Sequence, residues 1–219
     1  MTAPLSLSLQ QLLPIPLRDR LTLRASDVWQ KEITWAEPRQ RLFIQAPSGT
    51  GKTTLIHILY GLRSDYQGAV LWSKNRIGSM TDAERSQLRR ESLSVVFQDM
   101  RLFPALTAWE NLEIKRVLTN TISAEQQRSW MQALGIEDRA DKLAATLSYG
   151  EQQRVAIIRA LLQPFQWLLM DEPFSHLDRA NTALAAKLIA EVADRNGASF
   201  LFVDLDDNAQ FDYTQKLML

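Results

Sequence analysis

Short apolar runs bounded by turn residues alternate along this chain with segments in which apolar residues recur at helical spacing. The apolar runs predict strands at residues 41–46, 69–72, 93–97, 165–170, 199–203 and 216–219. Helical spacing predicts helices over residues 52–62, 82–91, 148–163 and 179–195. Capping-box patterns, in which Ser or Thr stands three positions before Glu or Gln, predict two further helix starts at Thr107 and Ser123.

The order of these elements predicts an α/β fold with a parallel sheet. The strands are apolar throughout rather than alternating in polarity, which is typical of strands covered on both faces. Residues 100–160, approximately, are rich in predicted helix and indicate an inserted helical subdomain. Residues 1–20 show neither a secretory signal nor a membrane span. We therefore expect a single domain over residues 1–219, with 1–20 as a poorly defined extension.

The chain carries equal numbers of opposite charges, with 25 Lys and Arg residues against 25 Asp and Glu residues. A net charge of zero argues against a protein that binds nucleic acid or an anionic membrane electrostatically. The chain has no cysteine, which excludes disulfides and thiolate metal sites, and its two histidines, His57 and His176, are too few for a histidine-rich metal centre. We expect a cytosolic protein that contacts a membrane only through a partner and binds no nucleic acid.

Residues 46–54, which read Ala-Pro-Ser-Gly-Thr-Gly-Lys-Thr-Thr, lie between a predicted strand and a predicted helix and form a phosphate-loop motif. Gly49 and Gly51 allow successive backbone N–H groups to surround a phosphate. Lys52 is expected to reach the β- and γ-phosphates, and the Thr53 hydroxyl to hold Mg²⁺. Ala46 replaces the first glycine of the motif. The candidate phosphate-binding residues are Pro47, Ser48, Gly49, Thr50, Gly51, Lys52, Thr53 and Thr54. The alternative is an ordinary strand–helix turn that contains glycine.

Two acids, Asp171 and Glu172, end the apolar strand at residues 165–170. In open α/β sheets, ligands lie at the carboxyl ends of the strands. Asp171 is therefore a candidate ligand of Mg²⁺ through water, and Glu172 a candidate base that orients and deprotonates an attacking water. The alternative is a solvated pair of carboxylates after a core strand. The presence of a phosphate loop in the same chain disfavours this alternative.

Residues 147–154, which read Leu-Ser-Tyr-Gly-Glu-Gln-Gln-Arg, resemble the signature motif of ATP-binding cassette (ABC) proteins. Gln98 resembles the Q-loop glutamine of that family, and residues 175–178, Ser-His-Leu-Asp, resemble its D-loop. The motifs stand in the family's order and spacing, and the resemblance covers about residues 20–219. It implies an ABC nucleotide-binding domain, which has a P-loop NTPase parallel-sheet core, an inserted helical subdomain and a small antiparallel β subdomain.

The resemblance also implies a mechanism. Two cassettes pack head to tail, as a homodimer or with a different second cassette, and each ATP lies between one phosphate loop and the other subunit's signature helix. Ser148 and Gly150 would then contact the γ-phosphate, and Gln98 would touch both Mg²⁺ and the attacking water. Ser148 and Glu151 also form a plain capping-box pattern, and both interpretations are compatible. Tyr149 replaces the middle glycine of the motif.

The stretch at residues 101–111 resembles the membrane-docking region of bacterial transporter cassettes. The resemblance implies an integral-membrane transporter subunit that docks between Gln98 and Pro104, and a peripheral location on the cytoplasmic face of the inner (plasma) membrane. Arg89 and Arg90, together with the segment 81–84, most resemble the lipoprotein-release and macrolide-efflux group. The transported substrate is set by the membrane subunit and is not encoded here.

The chain departs from the family where the switch histidine is expected, because residues 203–206 read Val-Asp-Leu-Asp. Leu205 cannot donate a hydrogen bond to a γ-phosphate. His176, in the D-loop, is a weak candidate substitute, and His57 is expected to be a partly buried helix residue. Trp29 has two interpretations, stacking on adenine or packing in the core.

These departures favour a chain that binds ATP and dimerises but hydrolyses ATP slowly or only with its partner. A degenerate cassette with a regulatory or structural role is the main alternative. A soluble ABC ATPase acting on nucleic acid is disfavoured by the zero net charge, and a metabolite kinase would not need residues 147–154.

Overall fold

The computed structural model describes residues 4–21, 25–206 and 209–219, which form strands and helices in alternation. The strands are β1 (Leu7–Pro14), β2 (Glu32–Trp35), β3 (Arg41–Gln45), β4 (Tyr66–Trp72), β5 (Asn75–Arg76), β6 (Leu93–Val96), β7 (Trp167–Asp171), β8 (Ser199–Asp204) and β9 (Gln215–Met218). The α-helices are α1 (Arg18–Leu21), α2 (Lys52–Leu59), α3 (Asp82–Glu91), α4 (Ala108–Thr119), α5 (Ala124–Ala133), α6 (Tyr149–Leu161) and α7 (Arg179–Asn196). Short 3₁₀ helices lie at Ile15–Leu17, Ile77–Ser79, Glu137–Arg139 and Ala144–Thr146.

A parallel sheet with the strand order β6-β7-β8-β3-β9 forms the centre of the fold. Strand β7 is buried along its whole length and β8 along nearly all of it, which confirms the prediction of an α/β fold with a covered parallel sheet. Helix α2 is shorter than predicted. It ends at Leu59 because Gly61 is left-handed, with φ +72°, and Leu62 beyond it is exposed.

The two faces of the parallel sheet pack against different partners, since successive side chains of a strand point to opposite faces. On one face, Phe43, Phe200 and Phe202 join the apolar residues of α4–α7. On the other face, Leu42 and Ile44 join apolar residues of α2 and of the second sheet. The sheet is therefore a rigid layer between two cores, and its strand ends are well placed to hold a site.

The second sheet is antiparallel, with the order β2-β1-β4-β5. The expectation that residues 1–20 are a poorly defined extension is wrong for Leu7–Pro14, which forms an interior strand of this sheet. Leu7 and Leu9 alternate with serines and are buried, and this period-two pattern was the available signal for a strand. The polar pair that follows them, and the neighbouring prolines, obscured it.

Helices α4, α5 and α6 form the helical region that interrupts the strands of the parallel sheet. The capping box predicted at Thr107 is complete, because its hydroxyl accepts the Glu110 N–H and the Glu110 carboxylate accepts the Thr107 N–H. Ser123 caps α5 through the Gln126 N–H. None of the helices in the described part of the chain is long and apolar enough to cross a bilayer.

The pairing of β1 with β4 contains a bulge that only glycine fits. The register shifts between Gln10 and Leu13, and Gln11 is left-handed with φ +49°. Opposite the bulge, Gly68 has φ +85°, and a Cβ there would lie 2.3 Å from the Gln10 carbonyl oxygen and 2.4 Å from that of Gln11. Both obstacles are backbone atoms, which cannot move without breaking the pairing.

We therefore predict that Gly68→Ala lowers the free energy of unfolding by about 3 kcal/mol or more. The control is Gly197→Ala, where φ is +63° but nothing lies within 4 Å of the added Cβ. That substitution should cost only about 1 kcal/mol for the left-handed backbone. Urea unfolding of both variants measures the difference, and equal losses would contradict the steric explanation.

Candidate active site

The carboxyl ends of β6, β7, β8 and β3, which are neighbours in the parallel sheet, carry the segments that the sequence indicated. The phosphate loop, residues 46–54, leads from β3 into α2. Gln98 follows β6, Asp171 and Glu172 lie at the end of β7, and Leu205 follows β8. Because parallel strands point the same way, these residues gather at one edge of the sheet.

The backbone of the phosphate loop depends on its two glycines. Gly49 has φ +76° and Gly51 has φ +103°, values that side chains rarely allow. The Pro47 carbonyl accepts both the N–H and the hydroxyl of Thr50, at 3.2 and 2.7 Å, and closes the turn. Ala46 is buried and does not have a positive φ, so the missing first glycine of the motif leaves no backbone strain.

The outer side of the phosphate loop is open to solvent. Pro47, Ser48 and Gly49 are exposed, whereas Thr53 and Thr54 lie in the first turn of α2 and are partly buried. A phosphate group can therefore approach the loop at the start of α2, where unpaired N–H groups and the helix dipole favour an anion.

Lys52 points into the site and is almost fully buried. Its Nζ lies 3.2 Å from Glu172 Oε1 and donates to the Ala46 carbonyl at 3.2 Å. The side chains of Lys52 and Glu172 are 9% and 11% exposed. Two charges this far from water are tolerable only as a pair, so the phosphate loop and the end of β7 are electrostatically linked.

Gln98 extends this link to β6 and α2. Its Nε2 donates to Glu172 Oε2 at 3.1 Å, and its Oε1 accepts from the Thr53 hydroxyl at 3.4 Å. The structure therefore brings Lys52, Thr53, Gln98 and Glu172 together from three different segments. These four are among the residues that the sequence proposed for phosphate, metal and water.

Asp171 is the most deeply buried charged group of the site, with no exposed surface. Among the described residues, no donor forms a hydrogen bond of normal geometry with either of its carboxylate oxygens. Burial raises the pKa of Asp171 to about 6, although the Thr53 hydroxyl nearby opposes the rise. An unsatisfied buried carboxylate beside a threonine hydroxyl is a chemically suitable place for a cation with oxygen ligands.

Glu172 adopts a left-handed backbone, with φ +45°. Its N–H donates to the Val203 carbonyl at 2.9 Å, and its carbonyl accepts from Ser175 N and from Gln153 Nε2, both at 3.2 Å. A left-handed non-glycine residue costs about 1 kcal/mol or more, and these bonds hold it in place. In this conformation, the Glu172 carboxylate contacts Lys52 and Gln98.

Ser148 and Gly150 lie at the start of α6, away from the phosphate loop. Ser148 caps the helix in a complete capping box with Glu151. No hydrogen bond or ion pair joins Ser148 or Gly150 to the phosphate loop within the described residues of one chain. The structure therefore does not bring these two predicted site residues into the same cluster as Lys52.

Glu151 is the anchor of this helix end. Its carboxylate accepts from Arg139 Nε at 2.6 Å and from the Ser148 N–H at 2.8 Å. The Arg139 contact, followed by the Ser148 N–H, lowers the pKa of Glu151 to about 2. The first turn of α6 is thus fixed by a charged as well as a polar contact.

The end of β8 lacks an imidazole. Leu205 is 40% exposed, and its N–H donates to Asp204 Oδ1 at 2.7 Å. Burial raises the pKa of Asp204, and the Glu172 carboxylate adds to the rise. His57 lies elsewhere, with its ring against Phe97, as expected for a partly buried helix residue.

Trp29 supports the phosphate loop from behind. It is 3% exposed, its Nε1 donates to the Thr50 carbonyl at 3.2 Å, and its ring lies beside Gly51. No ring face is open to a base. The structure therefore assigns Trp29 to packing rather than to adenine stacking.

Gln153, which the sequence analysis did not single out, connects α6 with the end of β7. This side chain is fully buried. Its Oε1 accepts the His176 N–H at 2.8 Å, while its Nε2 donates to the Glu172 carbonyl and to Ser175 Oγ at 3.2 and 3.3 Å. A buried polar residue on the apolar face of a helix was the signal that could have identified it.

Comparisons with known proteins bear on the family and on the fold. A sequence model described as "ABC transporter" matches residues 34–175. The dimeric structure of MJ0796, a bacterial ABC transporter cassette, is similar at 26% identity and a TM-score of 0.75, over 91% of this chain and 88% of that one. A post-hydrolysis dimer of MJ0796 bound to ADP and Pi matches over the same shares at 25% identity and a TM-score of 0.74. A bacterial Atm1-family ABC exporter with ATP bound, 22% identical, shares the fold with a TM-score of 0.80, over 100% of this chain and 37% of that chain.

The Glu151 contacts predict a stability that depends on pH. Because the pKa of Glu151 is lower in the folded protein than in the unfolded chain, its contribution is complete above about pH 4.5 and is lost as the pH falls toward 2. Glu151→Gln keeps the cap but loses the charge, so it should destabilise the protein by about 1 kcal/mol at pH 7. Urea unfolding should show that the difference in unfolding free energy between wild type and Glu151→Gln becomes smaller below pH 5.

Glu110→Gln is the matched control, since Glu110 occupies the same capping-box position in α4 and its carboxylate is bound by Thr107. Glu110→Gln should destabilise the protein less than Glu151→Gln does. A Glu151→Gln difference that stays constant between pH 7 and pH 3 would argue against the charged contact.

Proposed function

The chain belongs to the ABC transporter family, and we propose that it is the ATP-binding subunit of a bacterial transporter. It would dimerise around ATP and couple ATP binding and hydrolysis to a separate membrane subunit. The observation that carries this proposal is the cluster of Lys52, Thr53, Gln98, Asp171 and Glu172 at one edge of the sheet.

The phosphate loop would hold the triphosphate. Its exposed outer side and its two left-handed glycines support a ring of backbone N–H donors, as in other phosphate loops. The residues proposed for this contact are Pro47, Ser48, Gly49, Thr50, Gly51, Lys52, Thr53 and Thr54. Lys52 would exchange its ion pair with Glu172 for the β- and γ-phosphates.

Thr53, Gln98 and Asp171 would hold Mg²⁺, Asp171 through water. A hydroxyl, an amide oxygen and a buried carboxylate without a hydrogen bond are the hard oxygen ligands that this ion prefers. Bound there, the ion would neutralise charge on the phosphate oxygens.

Glu172 and Gln98 would prepare the attacking water. Once Lys52 binds phosphate, the Glu172 carboxylate is free to accept a proton from water, and Gln98 can orient the same molecule. The water oxygen forms a bond to the γ-phosphorus, the bond from that phosphorus to the β–γ bridging oxygen breaks, and ADP and phosphate result. The water proton passes to Glu172 and then to solvent.

The second half of each ATP site would come from another subunit. Ser148 and Gly150 lie at the solvent-facing start of α6 and have no link to their own phosphate loop among the described residues. Placed head to tail, two chains would set this helix end against the partner's γ-phosphate. The dimeric MJ0796 cassette supports this arrangement, either with a second copy or with a different cassette.

A membrane subunit would dock between Gln98 and Pro104. A cavity of about 240 Å³ beside this segment is lined by Phe103 of the segment, Ile114 of α4 and the cationic side chains Arg101 and Arg159. Phe103 is 54% exposed. This chain would thus lie peripherally on the cytoplasmic face of the inner membrane. From its sequence, we place the chain in the lipoprotein-release and macrolide-efflux group.

A second candidate function is a regulatory or structural cassette that binds ATP without hydrolysing it. Leu205 favours this alternative, because its side chain offers the γ-phosphate no hydrogen-bond donor. The intact Glu172 and Gln98 contacts favour slow hydrolysis instead.

We predict slow Mg-ATP hydrolysis by the purified chain, clearly above that of Lys52→Ala. Leu205→His should raise turnover about ten-fold or more, because it restores a donor at the end of β8. A coupled assay of phosphate release measures both. Wild-type turnover equal to that of Lys52→Ala, both alone and with the membrane subunit, would exclude the motor role and favour the regulatory one.

The Lys52–Glu172 ion pair predicts an unusual effect on affinity. Glu172→Gln should bind ATP several-fold more tightly than the wild type, because it removes a carboxylate that competes with phosphate for Lys52. Titration calorimetry measures the Kd. Asp194→Asn, which removes a surface carboxylate paired with Arg41, changes the net charge equally and should leave the Kd unchanged. Equal affinities of wild type and Glu172→Gln would contradict the competition.

A further inference from the structure

His176 and Tyr149 form an exposed pair beside the start of α6. Their rings stack with centroids 5.3 Å apart and an interplanar angle of 21°, and Tyr149 is 68% exposed. Gly150 touches the same segment, since a Cβ there would lie 2.9 Å from the His176 carbonyl oxygen. The exposed His176 ring therefore lies beside Tyr149, which stands between Ser148 and Gly150 in the chain.

The hydrogen bonds around His176 place a donor next to one of its ring nitrogens. Gln153 Oε1 accepts the backbone N–H of His176, so Gln153 Nε2 must be the atom that donates to Ser175 Oγ. The Ser175 hydroxyl then accepts from Gln153 and has its own hydrogen available for His176 Nδ1, 3.1 Å away. When the Ser175 hydroxyl donates to Nδ1, the proton of the neutral ring lies on Nε2.

In that tautomer, His176 Nε2 is a hydrogen-bond donor. Among the described residues, no group forms a hydrogen bond with it. The imidazole is held by Ser175 on one nitrogen and by Tyr149 on one face, which limits its freedom before any ligand binds. A preorganised donor of this kind stabilises an anion more than a mobile one does.

The chain's own site has the complementary deficiency. Leu205 carries no hydrogen-bonding group, and the neighbouring Asp204 carboxylate accepts from the Leu205 N–H. Lys52, the cation of the phosphate loop, is already paired with Glu172. If two chains pack head to tail, His176 of one chain would lie near the site of the other chain, where Leu205 provides no donor.

We propose that, in the ATP-bound dimer, His176 of each subunit donates its Nε2–H to the γ-phosphate held by the phosphate loop of the other subunit. This inference rests on the head-to-tail dimer of the proposed function. His176 would take the place of the donor that Leu205 lacks, and the interaction would strengthen as negative charge shifts during hydrolysis. The hydrolysis step itself, with water attacking the γ-phosphorus and ADP leaving, is unchanged.

The first test is Mg-ATP turnover of His176→Ala, with His57→Ala as the matched histidine control. We expect His176→Ala to lose at least about ten-fold in turnover and His57→Ala to keep the wild-type rate. Adding Leu205→His to His176→Ala should restore turnover, because a donor then returns in cis. Unchanged turnover of His176→Ala, in a wild type that clearly exceeds Lys52→Ala, overturns the inference while the proposed function stands.

Mixed dimers separate action in trans from action in cis. A Lys52→Ala chain and a His176→Ala chain are each expected to be nearly inactive alone. In their mixed dimer, the intact phosphate loop of the His176→Ala chain faces the intact His176 of the Lys52→Ala chain. The mixture should therefore hydrolyse ATP well above the sum of the two separate chains. Turnover equal to that sum overturns the trans assignment.

A measurement that needs no turnover covers a wild type that proves inactive. In a Glu172→Gln background, sedimentation velocity reports ATP-driven dimerisation. We expect His176→Ala to weaken the dimer about ten-fold in Kd and His57→Ala to leave it unchanged. An unchanged dimer Kd for His176→Ala contradicts the contact. A chain that forms no dimer with ATP at all contradicts the proposed function and the inference together.

Discussion

The buried ion pair between Lys52 and Glu172 is the contact on which the rest of the site depends. Both side chains are almost fully buried. An unpaired charge in such a buried position would cost several kcal/mol. Each residue neutralises the other across the gap between the phosphate loop and the end of β7. Gln98 binds the second oxygen of Glu172, so β6 joins the same arrangement. A phosphate that takes Lys52 must release Glu172, and nucleotide binding and activation of the base become one event.

The fold supplies this contact at a small cost in strain. The parallel sheet lies between two apolar cores, and its edge gathers segments that are far apart in sequence. Such a rigid layer can hold residues in unfavourable conformations, as Gly51 at φ +103° and Glu172 at φ +45° illustrate. Gln153 holds the carbonyl of Glu172 from α6, so the helix that would face a second subunit is tied directly to the proposed base. The Gln153 side chain alone therefore connects α6 with Glu172.

The sequence predicted the parts of the structure that depend on local chemistry. The strand at residues 41–46, the loop glycines and the acids after β7 each follow from residue types at fixed spacing. The first strand was missed because Gln10 and Gln11 break its alternation at a bulge, and a bulge forms only when the partner strand is present. Trp29 could not be assigned either, since its burial depends on the loop folding over it. Tertiary packing determines both the first strand and the position of Trp29, and the local sequence does not show it.

In the proposed dimer, a single ATP site is built from two chains. A crystal structure of Glu172→Gln with Mg-ATP tests it most directly. We predict two head-to-tail chains, with each γ-phosphate between Lys52 of one chain and Ser148, Gly150 and His176 of the other. ATP bound to Lys52 in a monomer, or a dimer that leaves Ser148 and His176 in solvent, would contradict it.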